Sequence, residues 1–201
     1  MAKDISTEQK IAEAAERVFM VKGIAGARMQ EIADAAGINK ALLHYYFRSK
    51  EKLFDHVFDQ VFNEFVGGLR TIFDEDEPIE SQIRTFIRKY LEIFDLKPDM
   101  PLFIQTEIYR NPALQKRFTF LESVFPEEKL RNAIQAKIDA GEWHPIRVSD
   151  FLTNLIALSV YPYLARPMLQ KAFGMDDPGY EQYLKEREEF VFEFLMRGLR
   201  T

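Results

Sequence analysis

Lys40, Ala41, His44 and Tyr45 share one outward face of a short helical stretch, and Arg48 and Lys50 follow directly. Apart from Ala41 these are hydrogen-bond donors and aromatics, and no carboxylate lies between Ala35 and Lys50. Such a face can hold phosphate oxygens and read the edges of bases. Other chemistries find little support. His44, His56 and His144 have no partner histidine at i+3 or i+4, and Glu-x-x-His is missing. There is no Gly-rich phosphate loop and no nucleophile elbow. The chain has no cysteine, which removes thiol nucleophiles, thiolate metal ligands and thiol-based redox sensing. Asp95 and Glu107 read as solvated faces, not as general acids. No enzymatic activity, metal or cofactor is expected.

The elements that must position this face are short helices. Ile11, Ala14, Ala15, Val18 and Phe19 form an i, i+3, i+4 stripe on a first helix. Ser6 and Gln9 have capping-box spacing at its start, and Gly23 can supply the left-handed residue at its end. A short helix over 28–35 follows, with Ile32 and Ala33 inward. Ala36-Gly37-Ile38 is a tight turn, and Asn39 can cap a second short helix ending near Tyr46. Two short helices joined by a Gly-containing turn form a helix-turn-helix. The second is too short to stand alone in water. A small core of Phe19, Ile32, Ile38, Leu43 and Phe47 must hold it. Ser49 can cap a long helix striped by Phe54, Val57, Phe58, Val61, Phe62, Phe65 and Leu69.

Helical periodicity continues to the end. One stripe runs from Ile79 to Phe94, closed by Pro98 and Pro101. Helices are expected over 102–109, 113–124, 126–140 and from Ser149 to Tyr163, where Pro162 should kink or end the helix. Pro167 and Asp177-Pro178-Gly179 read as loop, and a last helix runs from about Tyr180 to Leu199. No period-2 segment bounded by hairpin turns occurs, so the expected class is all-α. The expected domains are a helix-turn-helix module over 1–50 and a larger helical domain over 51–201. No targeting signal or membrane segment is apparent, and the expected location is the cytoplasm.

The 201 residues carry 27 Lys and Arg against 32 Asp and Glu, a net charge of −5. Taken whole, that speaks against a nucleic-acid partner. Divided at residue 50 it becomes +2 followed by −7, a modestly basic head on a body that DNA would repel.

The stretch Ile11-Ala12-Glu13-Ala14-Ala15, Phe19, Gly23-Ile24 and then Glu31 to Phe54, with its Tyr46-Phe47-Arg48-Ser49-Lys50-Glu51-Lys52-Leu53 ending, resembles the DNA-binding domain of the TetR family of transcriptional regulators. The resemblance implies that Asn39, Lys40, Ala41, Leu42, His44, Tyr45 and Tyr46 meet the major groove and its flanking phosphates. It implies a phosphate contact for Lys50 and a base contact for Gln30, whose amide can bond adenine bidentately. Three positions depart from the family pattern. Arg28 stands where a Ser or Thr usually caps, and cannot cap, but can reach phosphate. Leu42 replaces a small or polar residue, which favours a thymine methyl. His44 replaces a Tyr.

The resemblance further implies a homodimer, double-stranded operator DNA as partner, and a small-molecule effector in the larger domain that moves the Ser49 helix. Phe190 to Met196 is apolar around most of a helix and calls for burial on more than one side. With the 152–163 helix, two copies would form a four-helix bundle. Two heads about 34–36 Å apart would read a palindrome. Phe62, Phe65, Phe86, Tyr90, Phe94, Phe103, Tyr109, Phe118, Phe125 and Trp143 could line a pocket for an apolar or aromatic effector, with the Pro-flanked segment 97–109 as its wall. A second reading is a helical ligand-binding or interaction protein whose N-terminal module does not read DNA.

Overall fold

The computed structural model describes residues 6–74, 77–117 and 124–201. Among these residues every regular element is a helix, and the β-type pairing is limited to an isolated bridge between Trp143 and Arg200. The helices are α1 (Thr7–Gly26), α2 (Met29–Ala35), α3 (Lys40–Tyr46), α4 (Lys50–Gly67), α5 (Ile79–Leu96), α6 (Met100–Arg110), α7 (Pro112–Arg117), α8 (Glu127–Asp139), α9 (Val148–Leu164), α10 (Arg166–Phe173) and α11 (Asp177–Leu199), with a 3-10 turn at Ile72–Asp74. None of these helices is long and apolar enough to cross a membrane. The chain divides into two compact units, Met1–Phe65 with Leu102–Phe118, and Val66–Pro101 with Thr119–Thr201.

In the first unit Ile11, Ala14, Ala15 and Phe19 of α1 are fully buried. Ser6 accepts the Gln9 N–H at 3.2 Å, but the Gln9 side chain turns forward to Glu13 instead of back to the cap, so only half of a capping box forms. The α2–α3 turn is a Schellman motif. Gly37, at φ +67°, donates to Asp34 O at 3.1 Å, and Ile38 donates to Ala33 O at 3.0 Å. Ile38 itself is only half-buried, so the core under the turn rests on Ile32, Ala33, Leu43 and Phe47. Seven-residue helices do not persist alone, and this burial keeps α2 and α3 folded. Phe54 and Phe58 of α4 extend the core through edge and tilted contacts to Phe19 and Phe103, with centroids 5.3 to 6.0 Å apart.

In the second unit α5, α9 and α11 pack on one another, and α8 packs on α9 and the 3-10 turn. Phe73, Phe86 and Phe125 form a triangle of rings, which Tyr90, Phe94 and Tyr163 extend. Burial pushes the Tyr90 phenol well above its ordinary range. Pro162 does not end its helix, because its missing N–H is compensated. That loss orphans the Leu158 carbonyl one turn earlier, and Arg187 Nη2 of α11 donates to it at 2.8 Å.

Three boundaries differ from the sequence expectation. Arg147, not Ser149, flanks α9, whose first turn is held by the Arg147–Asp150 ion pair. Pro167 and Pro178, expected in loops, instead sit in the first turns of α10 and α11, where a proline lacks nothing. Asp176 caps α11 by accepting Gly179 N–H at 2.9 Å. On α11, Val191, Phe192, Leu195 and Met196 are buried, while Phe190 and Phe194 stack on each other at 6.0 Å and stand more than half exposed.

Candidate nucleic-acid interface

The face of α3 begins at its cap. Asn39 Oδ1 accepts the Leu42 N–H at 2.8 Å and starts the helix at Lys40. A cap of this kind contributes about 1 kcal/mol. Leu43 points inward and is fully buried, which turns its neighbours outward. Lys40, Ala41, His44 and Tyr45 are exposed, with Tyr45 79% accessible. Leu42 is half-buried. Tyr46, 39% accessible, stands edge-on to Tyr45 with centroids 5.5 Å apart. The outward set is therefore one cation, one imidazole and two phenols around a small Ala41 gap, with no carboxylate among them. Phosphate and base edges are the partners such a set can satisfy.

The other expected contact residues lie at the starts of α2 and α4. Arg28 flanks α2 without any side-chain cap bond and is exposed. Gln30 is exposed on α2, with its amide nitrogen donating to Asp34 Oδ1 at 2.8 Å. At the start of α4, Ser49 Oγ accepts the Lys52 N–H at 3.2 Å. Lys50 Nζ donates to the Ala27 carbonyl at 3.2 Å, so this ammonium also ties the ends of α1 and α4 together. Lys22, hydrogen-bonded to Glu31 at 3.0 Å, holds that carboxyl below its ordinary range. This pair neutralises the acid nearest to Gln30 in sequence.

The aromatics considered for an effector divide between the units. Phe62, Phe65 and Phe103 are buried in the first, and Phe86, Tyr90, Phe94, Phe125 and Trp143 in the second. Tyr109 is 83% accessible and belongs to the surface. Phe118 lies outside the described residues. Trp143 packs on Phe151, and its backbone bridges Arg200. A half-open groove of about 170 Å³ is lined by Met20 to Gly23 of α1 and by Leu102, Phe103, Thr106, Glu107 and Arg110 of α6. Among the described residues no group of three His, Cys, Asp or Glu gathers to hold a metal.

Two features escaped sequence reading. Glu107 is not a solvated face. It is 3% accessible and accepts the Ile24 N–H at 3.0 Å. Nothing in its helical spacing marks it, because the partner lies 83 positions away. Asp34 as a holder of Gln30 was visible in principle, as an i, i+4 pair on one helix face.

Comparison with known proteins agrees with this geometry. The family model described as "Bacterial regulatory proteins, tetR family" matches residues 11–57. The transcriptional regulator RutR of Escherichia coli strain K12 is 33% identical over 99% of this chain and 93% of its own. The transcriptional repressor NicS of Pseudomonas putida is 25% identical over 96% of this chain and 92% of its own. The crystal structure of the Streptomyces coelicolor regulator SCO4942 shares the fold, with a TM-score of 0.69 at 22% identity over 96% of this chain and 98% of its own. With a module that exposes α3 in this way and relatives matched over nearly their whole length, the chain belongs to the TetR family of bacterial transcriptional regulators.

Proposed function

We propose that the protein is a homodimeric repressor that binds a palindromic operator through residues 28–50 and releases it when a small apolar or aromatic effector binds beyond residue 50. The observation that carries the reading is the acid-free face of α3, with Lys40, Ala41, His44 and Tyr45 all exposed. Lys40 and Gln30 read base edges, Leu42 meets a thymine methyl, and Arg28, Tyr45, Tyr46 and Lys50 hold phosphates. His44 donates to a phosphate. Asn39 supports the face through its cap. The site of action is the cytoplasm, where the chromosome lies.

One seven-residue helix touches too few bases to select a genomic site, so a second copy is needed. The exposed Phe190 and Phe194 on α11 support a contact between two copies through α9 and α11. Buried aromatic mass in the helical region supports an effector of apolar or flat shape. Selection of binding sites from a random duplex pool tests the reading. An enriched inverted repeat is expected. No enrichment at low salt would overturn it and favour a helical binding protein whose head does not read DNA.

A further inference from the structure

The strongest feature outside the reading face is a buried carboxylate with no ion pair among the described residues. Glu107 of α6 is 3% accessible, and its Oε1 accepts the Ile24 N–H at 3.0 Å. Burying a carboxylate is unfavourable unless something specific receives it. Here the receiver is the backbone at the one break in α1. Gly23 has φ 63° and ψ 175°, a region open in practice only to glycine. The chain leaves the helical path there and presents the Ile24 N–H to α6. The fit is close: a Cβ built on Gly23 would stand 2.6 Å from Glu107 Oε1.

What lies beyond the break is the reading module. The Ala27 N–H donates back to Gly23 O at 3.2 Å, and the Ala27 carbonyl accepts Lys50 Nζ at 3.2 Å. Arg28 follows, then α2 and α3. The backbone angle at Gly23 therefore sets the direction in which α1 hands the chain to both reading helices. The nearby cations leave Glu107 to this task. Lys22 is paired with Glu31, and Arg110 is exposed.

We propose that Glu107 is a positioning residue for operator recognition: by accepting the Ile24 N–H it fixes the turn at Gly23, and with it the pose of α2 and α3. The proposal rests on the reading that α3 faces DNA. It assigns Glu107 an effect on selectivity, because a module held at the wrong angle still meets phosphates but loses register with the bases.

The test uses the full chain with Glu107→Met, which keeps apolar volume but removes the acceptor, and Glu107→Gln, which keeps the acceptor without the charge. Binding to the selected operator and to a random duplex is measured by fluorescence anisotropy, alongside thermal unfolding. Glu107→Met should weaken operator binding about tenfold while random-duplex binding changes about twofold or less, and Glu107→Gln should bind operator within about threefold of the parent. Equal operator affinity for Glu107→Met and parent overturns the proposal, as does equal loss on both duplexes. Should Glu107→Met not unfold cooperatively, amide exchange in Glu107→Gln decides: Ile24 must stay protected, and exchange as fast as an exposed amide overturns the proposal. A parent chain that enriches no operator would instead refute the DNA reading itself.

Discussion

Gln30 Nε2 donates to Asp34 Oδ1 at 2.8 Å, one helical turn along α2. A carboxylate can only accept, so the amide nitrogen is the end engaged with Asp34 and the carbonyl oxygen is the end left as acceptor. With the nitrogen engaged in this way, Gln30 is expected to favour bases that offer a donor in the major groove, cytosine N4 or adenine N6. Asp34→Ala frees both N–H groups of the amide and favours the bidentate fit to adenine, so site selection with this variant should shift one position toward adenine. Gln30→Ala should relax the same position, by about 1–3 kcal/mol of discrimination. Uniform weakening on all sequences would exclude base reading by Gln30.

On the proposed reading Lys50 has two duties, and its removal should show both. Lys50→Ala loses a phosphate contact, lowering the slope of log affinity against log salt by about 1 on every duplex. It also loses the bond to the Ala27 carbonyl, lowering unfolding free energy by about 1 kcal/mol. A salt titration and a urea denaturation separate the two.

Asn39 can be divided in the same manner. Asn39→Ala removes the acceptor for Leu42 N–H and should cost about 1 kcal/mol of stability. Asn39→Asp keeps the cap but sets a negative charge beside the reading face. Its stability should match the parent while its DNA affinity falls, measured by urea denaturation and anisotropy.

A pH dependence follows from Glu80. Burial works to raise its carboxyl, but the hydrogen bond from Lys137 at 2.9 Å, its own backbone N–H and the Lys137 charge outweigh that and hold it below the ordinary 4.5. Lowered in the folded state, this group stabilises the fold above pH 4.5, and the contribution disappears as pH falls through its folded value. Glu80→Gln should lower stability at neutral pH by at most about 1 kcal/mol and flatten the acid limb of the unfolding curve. Urea denaturation across the acid range checks both.

Phe194→Glu places a charge in the exposed stack with Phe190. Sedimentation should report a lighter species with unchanged helical circular dichroism, and operator binding should fall with it. An unchanged dimer would move the contact elsewhere.

Much of the reading module was legible because its signals are local. Asn39 and Leu42 are three residues apart, and the Gly37 turn closes over bonds of three to five residues. Boundaries failed where one residue type serves opposite purposes. A proline breaks a helix in its interior but starts one at its first turn, and Pro167 and Pro178 do the second. Glu107 failed for another reason. Its burial depends on α6 meeting the break in α1, a tertiary fact with no trace in the spacing around it. Tyr109 shows the converse: an aromatic at helical spacing stands on the exposed side of its helix.

The proposed pairing through the stacked Phe190 and Phe194, which stand in water while Val191, Phe192, Leu195 and Met196 of the same helix are buried, would make occupancy a matter of supply as well as fit. When chains are mostly apart and only pairs bind, the bound fraction rises with the square of the chain concentration. A modest fall in expression then empties the operator more than proportionally.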